Sequence, residues 1–125
     1  MDPERDRGSA AVEFAIVLPV LVALLFGVIQ FGWLFFSSTE MAGGARQGAR
    51  NMTITNNTSK AKTAALDDMP TLGLTAADVT VSVPGGSCDP GESVTVTVTY
   101  TSPMPQLIPG VPATIVRKST ALCPG

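Results

Sequence analysis

Between Ala15 and Phe36 the chain carries no charged side chain, and Gln30 is the only clearly polar residue. A run this long has few options in water, where so many apolar side chains would have to be covered at once. Read as a helix from Ala10 to Phe36, it spans about 40 Å at the helical rise. That is ample for a hydrocarbon core of about 30 Å, with some tilt. A secretory signal has an apolar region of about 7–15 residues followed by a small-residue cut site, roughly half of what stands here. The run also ends in Phe31-Gly32-Trp33-Leu34-Phe35-Phe36, an aromatic cluster suited to a membrane–water interface. The segment reads as a retained transmembrane helix. Pro19 lies inside it and should kink it or leave the Ala15 carbonyl without its helical donor. Gly27 and Gly32 are small positions that admit a neighbouring helix.

A carboxylate stands at the mouth of this run, in Gly8-Ser9-Ala10-Ala11-Val12-Glu13-Phe14. A charge at the bilayer centre costs about 2.5–3.5 kcal/mol on insertion scales, so an acidic residue here points to a function. The plainer alternative is that Glu13 lies near the interface and reaches water at modest cost.

Beyond Phe36 the chain is rich in Gly, Pro, Ser and Thr. Such a remainder can bury only a modest core and gains from a covalent staple. Cys88 and Cys123 are the only cysteines. An even pair lying past an apolar N-terminal segment, far from Cys-x-x-Cys spacing, reads as one disulfide in an oxidising compartment. The alternative is two unrelated reduced thiols. Closing that loop contributes roughly 3–4 kcal/mol on the chain-entropy account. Basic residues flank the apolar run on both sides, Arg5 and Arg7 before it and Arg46, Arg50, Lys60 and Lys62 after it. Their count does not orient the span. The cysteine pair favours an outside C-terminus.

Composition excludes several classes. The formal net charge is −2 and no Lys/Arg cluster occurs, which argues against nucleic acid as a partner. Histidine is absent, removing the commonest general base and metal ligand, and no metal site or other cofactor is expected. Neither G-x-S-x-G nor a phosphate loop occurs, and Asp67, Asp68, Asp78, Asp89 and Glu92 show no paired catalytic pattern. The sequence does not read as an enzyme.

Residues 37–57 continue as a helical extension, with Met41, Ala45, Ala49 and Met52 at near-helical spacing and Arg46 and Arg50 one turn apart. Gly43, Gly44 and Gly48 weaken this helix in isolation; they mark either close packing by another element or flexibility. Residues 58–125 read as a small α+β domain. Ser59–Met69 suits a short helix with Ala61, Ala64, Ala65 and Leu66 inward, ended by Pro70. Residues 78–83 and 92–101 alternate valine with threonine or serine, as half-buried strands do. Residues 113–122 supply a third strand that returns Cys123 toward Cys88. Leu107, Ile108 and Val111 lie in a proline-punctuated loop, either as an exposed apolar tip or folded over the core. Asn51-Met52-Thr53 and Asn56-Asn57-Thr58 match the short glycosylation pattern. The fold class is therefore α+β: a long hydrophobic helix continuing into a small antiparallel sheet.

The stretch from Arg7 to Val20, with its order R-G-x-x-x-V-E-F-A-x-x-x-P, closely resembles the N-terminus of TadE-like pseudopilins of tight-adherence (Flp-type) pilus systems. Phe26-Gly27-Val28-Ile29-Gln30-Phe31-Gly32 and Ala45-Arg46-Gln47-Gly48-Ala49-Arg50 extend the likeness. Gln30 departs from it, since many members carry an acidic residue there. The resemblance implies a pilin-like fold and a type IV-like prepilin whose leader, residues 1–8, is removed by a membrane prepilin peptidase. The cut would fall between Gly8 and Ser9. It makes residues 9–36 the transmembrane helix, and it makes Glu13 and Phe14 the assembly and recognition residues of the mature end. Glu13 would pair with the new α-amino group of a neighbouring subunit. Implied partners are the membrane, the peptidase, other pilin or pseudopilin subunits and the Tad assembly machinery. The implied location is the bacterial cytoplasmic membrane, single-pass with the C-terminal domain outside, or a pilus at the cell surface. The competing expectation is an uncleaved single-pass anchor with an extracytoplasmic binding domain.

Overall fold

The computed structural model describes residues 3–104, 108–111 and 113–124. Leu107 of the expected apolar tip and the first two residues of the expected leader lie outside the described residues. Helix α1 runs from Pro3 to Thr55, followed by α2 (Thr58–Asp67), a short 3-10 turn (Ala76–Asp78) and strands β1 (Val79–Ser82), β2 (Ser93–Thr101) and β3 (Thr114–Leu122). The α+β class expected from the sequence is what the chain adopts. It divides into two compact units, residues 1–34 and 35–125.

The first unit is a single helix. Pro3 opens α1 at a position where its missing N–H is no loss, and Glu4 and Asp6 stand in the first turn, favourably toward the positive end of the helix dipole. Leucine, valine, isoleucine and phenylalanine then occupy every face, so the helix has no amphipathic stripe. Val12, Phe14, Ile16, Leu18, Val20, Leu24 and Val28 are all exposed. The segment is long and apolar enough to cross a membrane. The helix passes through Pro19 without a break.

The second unit begins with residues 35–55 of α1. The near-helical row foreseen there is its core face, for Met41, Ala45, Ala49 and Met52 are all buried. The three glycines make close packing possible. A Cβ on Gly44 would lie 2.5 Å from Met69 Cγ, and one on Gly48 would lie 3.0 Å from Ala65 Cβ and 3.3 Å from Val96 Cγ1. Both α2 and the sheet therefore press on α1 at its small residues, which decides between packing and flexibility.

Helix α2 starts where Asn57 caps it, its Oδ1 accepting from the Lys60 amide at 3.0 Å, a bond that satisfies one orphan N–H of the first turn. It ends at Asp67, ahead of Pro70, and buries Ala61 and Ala65; Ala64 and Leu66 are only half-buried.

The sheet has order β1-β2-β3, antiparallel throughout. Alternation places Val79, Val94, Val96, Val98, Tyr100 and Ile115 in the core, because successive side chains leave a strand on opposite faces. Thr80, Thr95, Thr97, Thr99, Thr114 and Thr120 take the wet face through the register Thr80↔Thr97, Thr95↔Thr120 and Thr101↔Thr114. Cys88 and Cys123 are bonded, with Cα atoms 5.5 Å apart. The bond joins the β1–β2 connection to the end of β3. In the loop before β3, Ile108 and Val111 are half-buried.

Candidate processing and assembly site

The residues singled out at the N-terminus all lie on α1 within the first unit. Gly8, Ser9, Glu13 and Phe14 are exposed, and among the described residues nothing stands within 4 Å of the position a Gly8 Cβ would take. The side of the helix that a Gly8 side chain would occupy is thus open.

Residues 3–8 are not a separate loose segment, for α1 is continuous from Pro3 through residues 8 and 9. A protease that reads extended backbone must unwind this turn, and a glycine there weakens it by up to about 1 kcal/mol against alanine. In the uncut chain Glu13 lies ten residues past Pro3, beyond the first turn, so the helix dipole acts on Glu4 and Asp6 and not on Glu13. A cut after Gly8 would move the helix terminus to Ser9 and bring Glu13 to its start. Ser9 and Glu13 are four residues apart on one helix face, separated by about 6 Å of rise. Apolar side chains surround the carboxylate along the helix, with Val12, Phe14, Ile16 and Val17 all exposed. Gln30, the polar residue farther along, is buried.

The second motif of the stem, Ala45–Arg50, lies in the other unit and resolves into two faces. Ala45, Gly48 and Ala49 are buried, while Arg46, Gln47 and Arg50 are exposed. Small residues admit the sheet and α2; the arginines face outward one turn apart. The periodicity of this cluster was visible in the sequence. The closeness of α2 was signalled only by the glycines.

The sequon-like asparagines all have other work. Asn51 Oδ1 accepts from the Thr55 hydroxyl, Asn57 caps α2, and Asn56 Oδ1 accepts from the Cys88 amide. Two acidic residues of the second unit are likewise engaged: Glu40 accepts from the Thr71 amide and Asp78 from the Thr75 amide and hydroxyl.

No curated protein and no solved structure matches the chain. One protein-family model does, described as TadE-like protein, and it covers residues 8–50. That interval opens on Gly8, contains Glu13 and the whole apolar run, and closes on Arg50. Over residues 8–50 the chain is similar to the TadE-like protein family.

Proposed function

We propose that this chain is a TadE-like minor pilin or pseudopilin, cleaved by a prepilin peptidase and taken into a Tad/Flp-type pilus that serves surface adherence. The observation that carries the reading is the association of three features within the matched interval. An unobstructed glycine at position 8 precedes a carboxylate at position 13. A helix apolar on every face follows. Such a helix needs either lipid or the core of a filament around it, and a type IV-like subunit uses both in turn.

In this reading residues 1–8 are a leader held on the cytoplasmic side, residues 9–36 the span, 37–57 its helical extension, and 58–125 the domain outside. The disulfide between Cys88 and Cys123 supports an oxidising compartment for that domain. The peptidase would unwind the turn around Gly8, cut the bond to Ser9, and leave an α-amino group in an apolar setting. Glu13 then offers a counter-charge. Two charges brought together offset much of each other's desolvation, whereas either alone would be penalised. Phe14, exposed beside it, presents an apolar contact for the neighbouring subunit.

The test is the mature N-terminus. Co-expression with a prepilin peptidase that processes a control prepilin should yield protein beginning at Ser9. If full-length protein persists beside a processed control, the chain is an uncleaved membrane anchor with a binding domain outside. The unbroken helix across residues 8 and 9 is the observation on that side.

A further inference from the structure

Helix α1 carries two start signals and uses only the first. Pro3 stands at its opening, with Glu4 and Asp6 in the first turn, a combination that favours a helix beginning there. The second signal is Gly8-Ser9, inside the helix. Glycine is among the poorest residues for a helix interior. Serine is among the best to precede a helix, because its hydroxyl oxygen accepts from an orphan amide of the first turn. Ala10, Ala11 and Val12 follow Ser9 and lead into the apolar run, as a helix start requires.

The Ser9 hydroxyl is idle in the long helix. Threonines elsewhere on α1 and α2 bond back to a carbonyl of the preceding turn: Thr39 to Phe35, Thr53 to Arg50, Thr55 to Asn51 and Thr63 to Ser59. Ser9 is exposed, and its hydroxyl bonds to none of the described residues. Asn57 shows the other use of a short polar side chain, capping α2 through the Lys60 amide.

We propose that Ser9 is the N-cap of a second, shorter form of α1, in which residues 3–8 are unwound and the helix begins at Ala10, and that the peptidase cuts this form. The inference deepens the processing reading and rests on the cut falling between Gly8 and Ser9.

Composition sets where unwinding stops. Glu4, Arg5, Asp6 and Arg7 are charged and exposed, so water takes over the backbone groups they release. From Ala10 onward the side chains are apolar except for Glu13, and backbone opened in apolar surroundings finds no water to bond. The boundary falls at Gly8 and Ser9. Unwinding to that point frees the amides of residues 7–12 from the carbonyls of residues 3–8. The Ser9 hydroxyl takes one of them, at Ala11 or Val12, while the Ser9 carbonyl keeps the Glu13 amide. Glu13 then lies at the end of the first turn, where the helix dipole favours its charge. Pro3, Glu4 and Asp6 favour the long form, so the two starts compete for residues 3–8.

The experiment uses the full chain in nanodiscs of phosphatidylglycerol and phosphatidylethanolamine. Without peptidase, amide hydrogen exchange followed by NMR reads opening at residues 7–10. Wild type and Ser9→Thr, which keeps a capping hydroxyl, should exchange alike. Ser9→Ala should be about fivefold better protected, the equivalent of a lost N-cap. With a prepilin peptidase that processes a control prepilin, the initial cleavage rate should fall by about the same factor in Ser9→Ala and stay near wild type in Ser9→Thr. Equal exchange in the three proteins overturns the cap, and slower cutting of Ser9→Ala would then mean that the peptidase reads the hydroxyl directly. Altered exchange with equal cleavage rates overturns the link between the short form and the cut. A wild type left whole beside a processed control overturns the processing reading itself, and the exchange result still decides the cap.

Discussion

The side-chain carbonyl of Asn56 accepts a hydrogen bond from the Cys88 amide at 2.7 Å, across 32 residues of chain. Asn56 follows the last residue of α1 and is the sole non-glycine with positive φ among the described residues, at 50°. It does two things at once: its backbone turns the chain from α1 into α2, and its side chain holds the loop that carries the disulfide. These roles can be separated. Asn56→Gly keeps the left-handed turn and loses the bond, so it should cost about 0.5–1.5 kcal/mol, the net worth of a hydrogen bond. Asn56→Ala loses both and adds about 1–2 kcal/mol for the left-handed backbone. Thermal unfolding of the full chain in detergent should rank wild type above Gly and Gly above Ala. Equal melting of the two variants would mean that the conformation carries no strain.

Gly48 and Gly44 make a second pair of opposites. An alanine at either gains up to about 1 kcal/mol of helix propensity. At Gly48 the new methyl meets Ala65 Cβ at 3.0 Å, the Ala61 carbonyl oxygen at 3.2 Å and Val96 Cγ1 at 3.3 Å, none of which can swing aside. Overpacking of this kind costs about 1–3 kcal/mol, so Gly48→Ala should melt several degrees lower than wild type. At Gly44 the obstacle is the Met69 side chain, which is flexible and can repack. Gly44→Ala should lose less, and Gly32→Ala, with nothing within 4 Å among the described residues, should not weaken folding. A Gly48→Ala protein as stable as wild type would show that α2 can move away from α1.

Much of this architecture is legible in the sequence, for reasons that differ by element. The alternation of valine with threonine in residues 93–101 dictates the buried face of β2, because one face of a pleated strand must be apolar to pack. The Met41, Ala45, Ala49 and Met52 row likewise dictates which side of α1 is covered. Other features have no local signal. The Arg117–Ser38 bond joins residues 79 apart, and no spacing rule connects them. That residues 3–8 are helical was also not readable: α1 spans Gly8, since a single helical glycine costs only about 1 kcal/mol. The Gly8–Phe14 segment is a candidate site on its residues alone, because a carboxylate at the mouth of an apolar run is expensive enough to need a reason.

The disulfide should contribute more to stability than any one of these contacts. It closes a separation of 35 residues, worth about 3–4 kcal/mol through restriction of the unfolded chain. Cys88→Ser with Cys123→Ser should lower the urea midpoint of the distal domain by that equivalent. The helicity of the apolar segment should remain, because that unit packs its own backbone bonds within α1. Circular dichroism in lipid, followed through a urea titration, separates the two signals. A single coincident loss of helix and sheet would show that the units unfold as one.

Glu13 yields the sharpest functional expectation. It is exposed on a helix whose neighbouring side chains Val12, Phe14, Ile16 and Val17 are apolar and exposed. In a filament core an unpaired carboxylate would cost about 2.5–3.5 kcal/mol or more, and removing one member of a buried ion pair typically costs about 3–5 kcal/mol. Glu13→Ala should therefore leave peptidase trimming and membrane insertion intact, because the helix stays apolar and Gly8 is untouched. Co-purification with partner pilins should fall at least tenfold, since about 1.4 kcal/mol already amounts to a factor of ten. Glu13→Gln separates charge from hydrogen bonding: it keeps the shape and an acceptor but cannot neutralise an amine, so it should fail as Ala does. Blocking the new amine chemically, by acetylating Ser9 in the processed protein before assembly in vitro, should give the same defect with Glu13 present and add little to it in Glu13→Ala. Additive losses from the two changes would mean that carboxylate and amine act on different partners, and the pairing would be wrong.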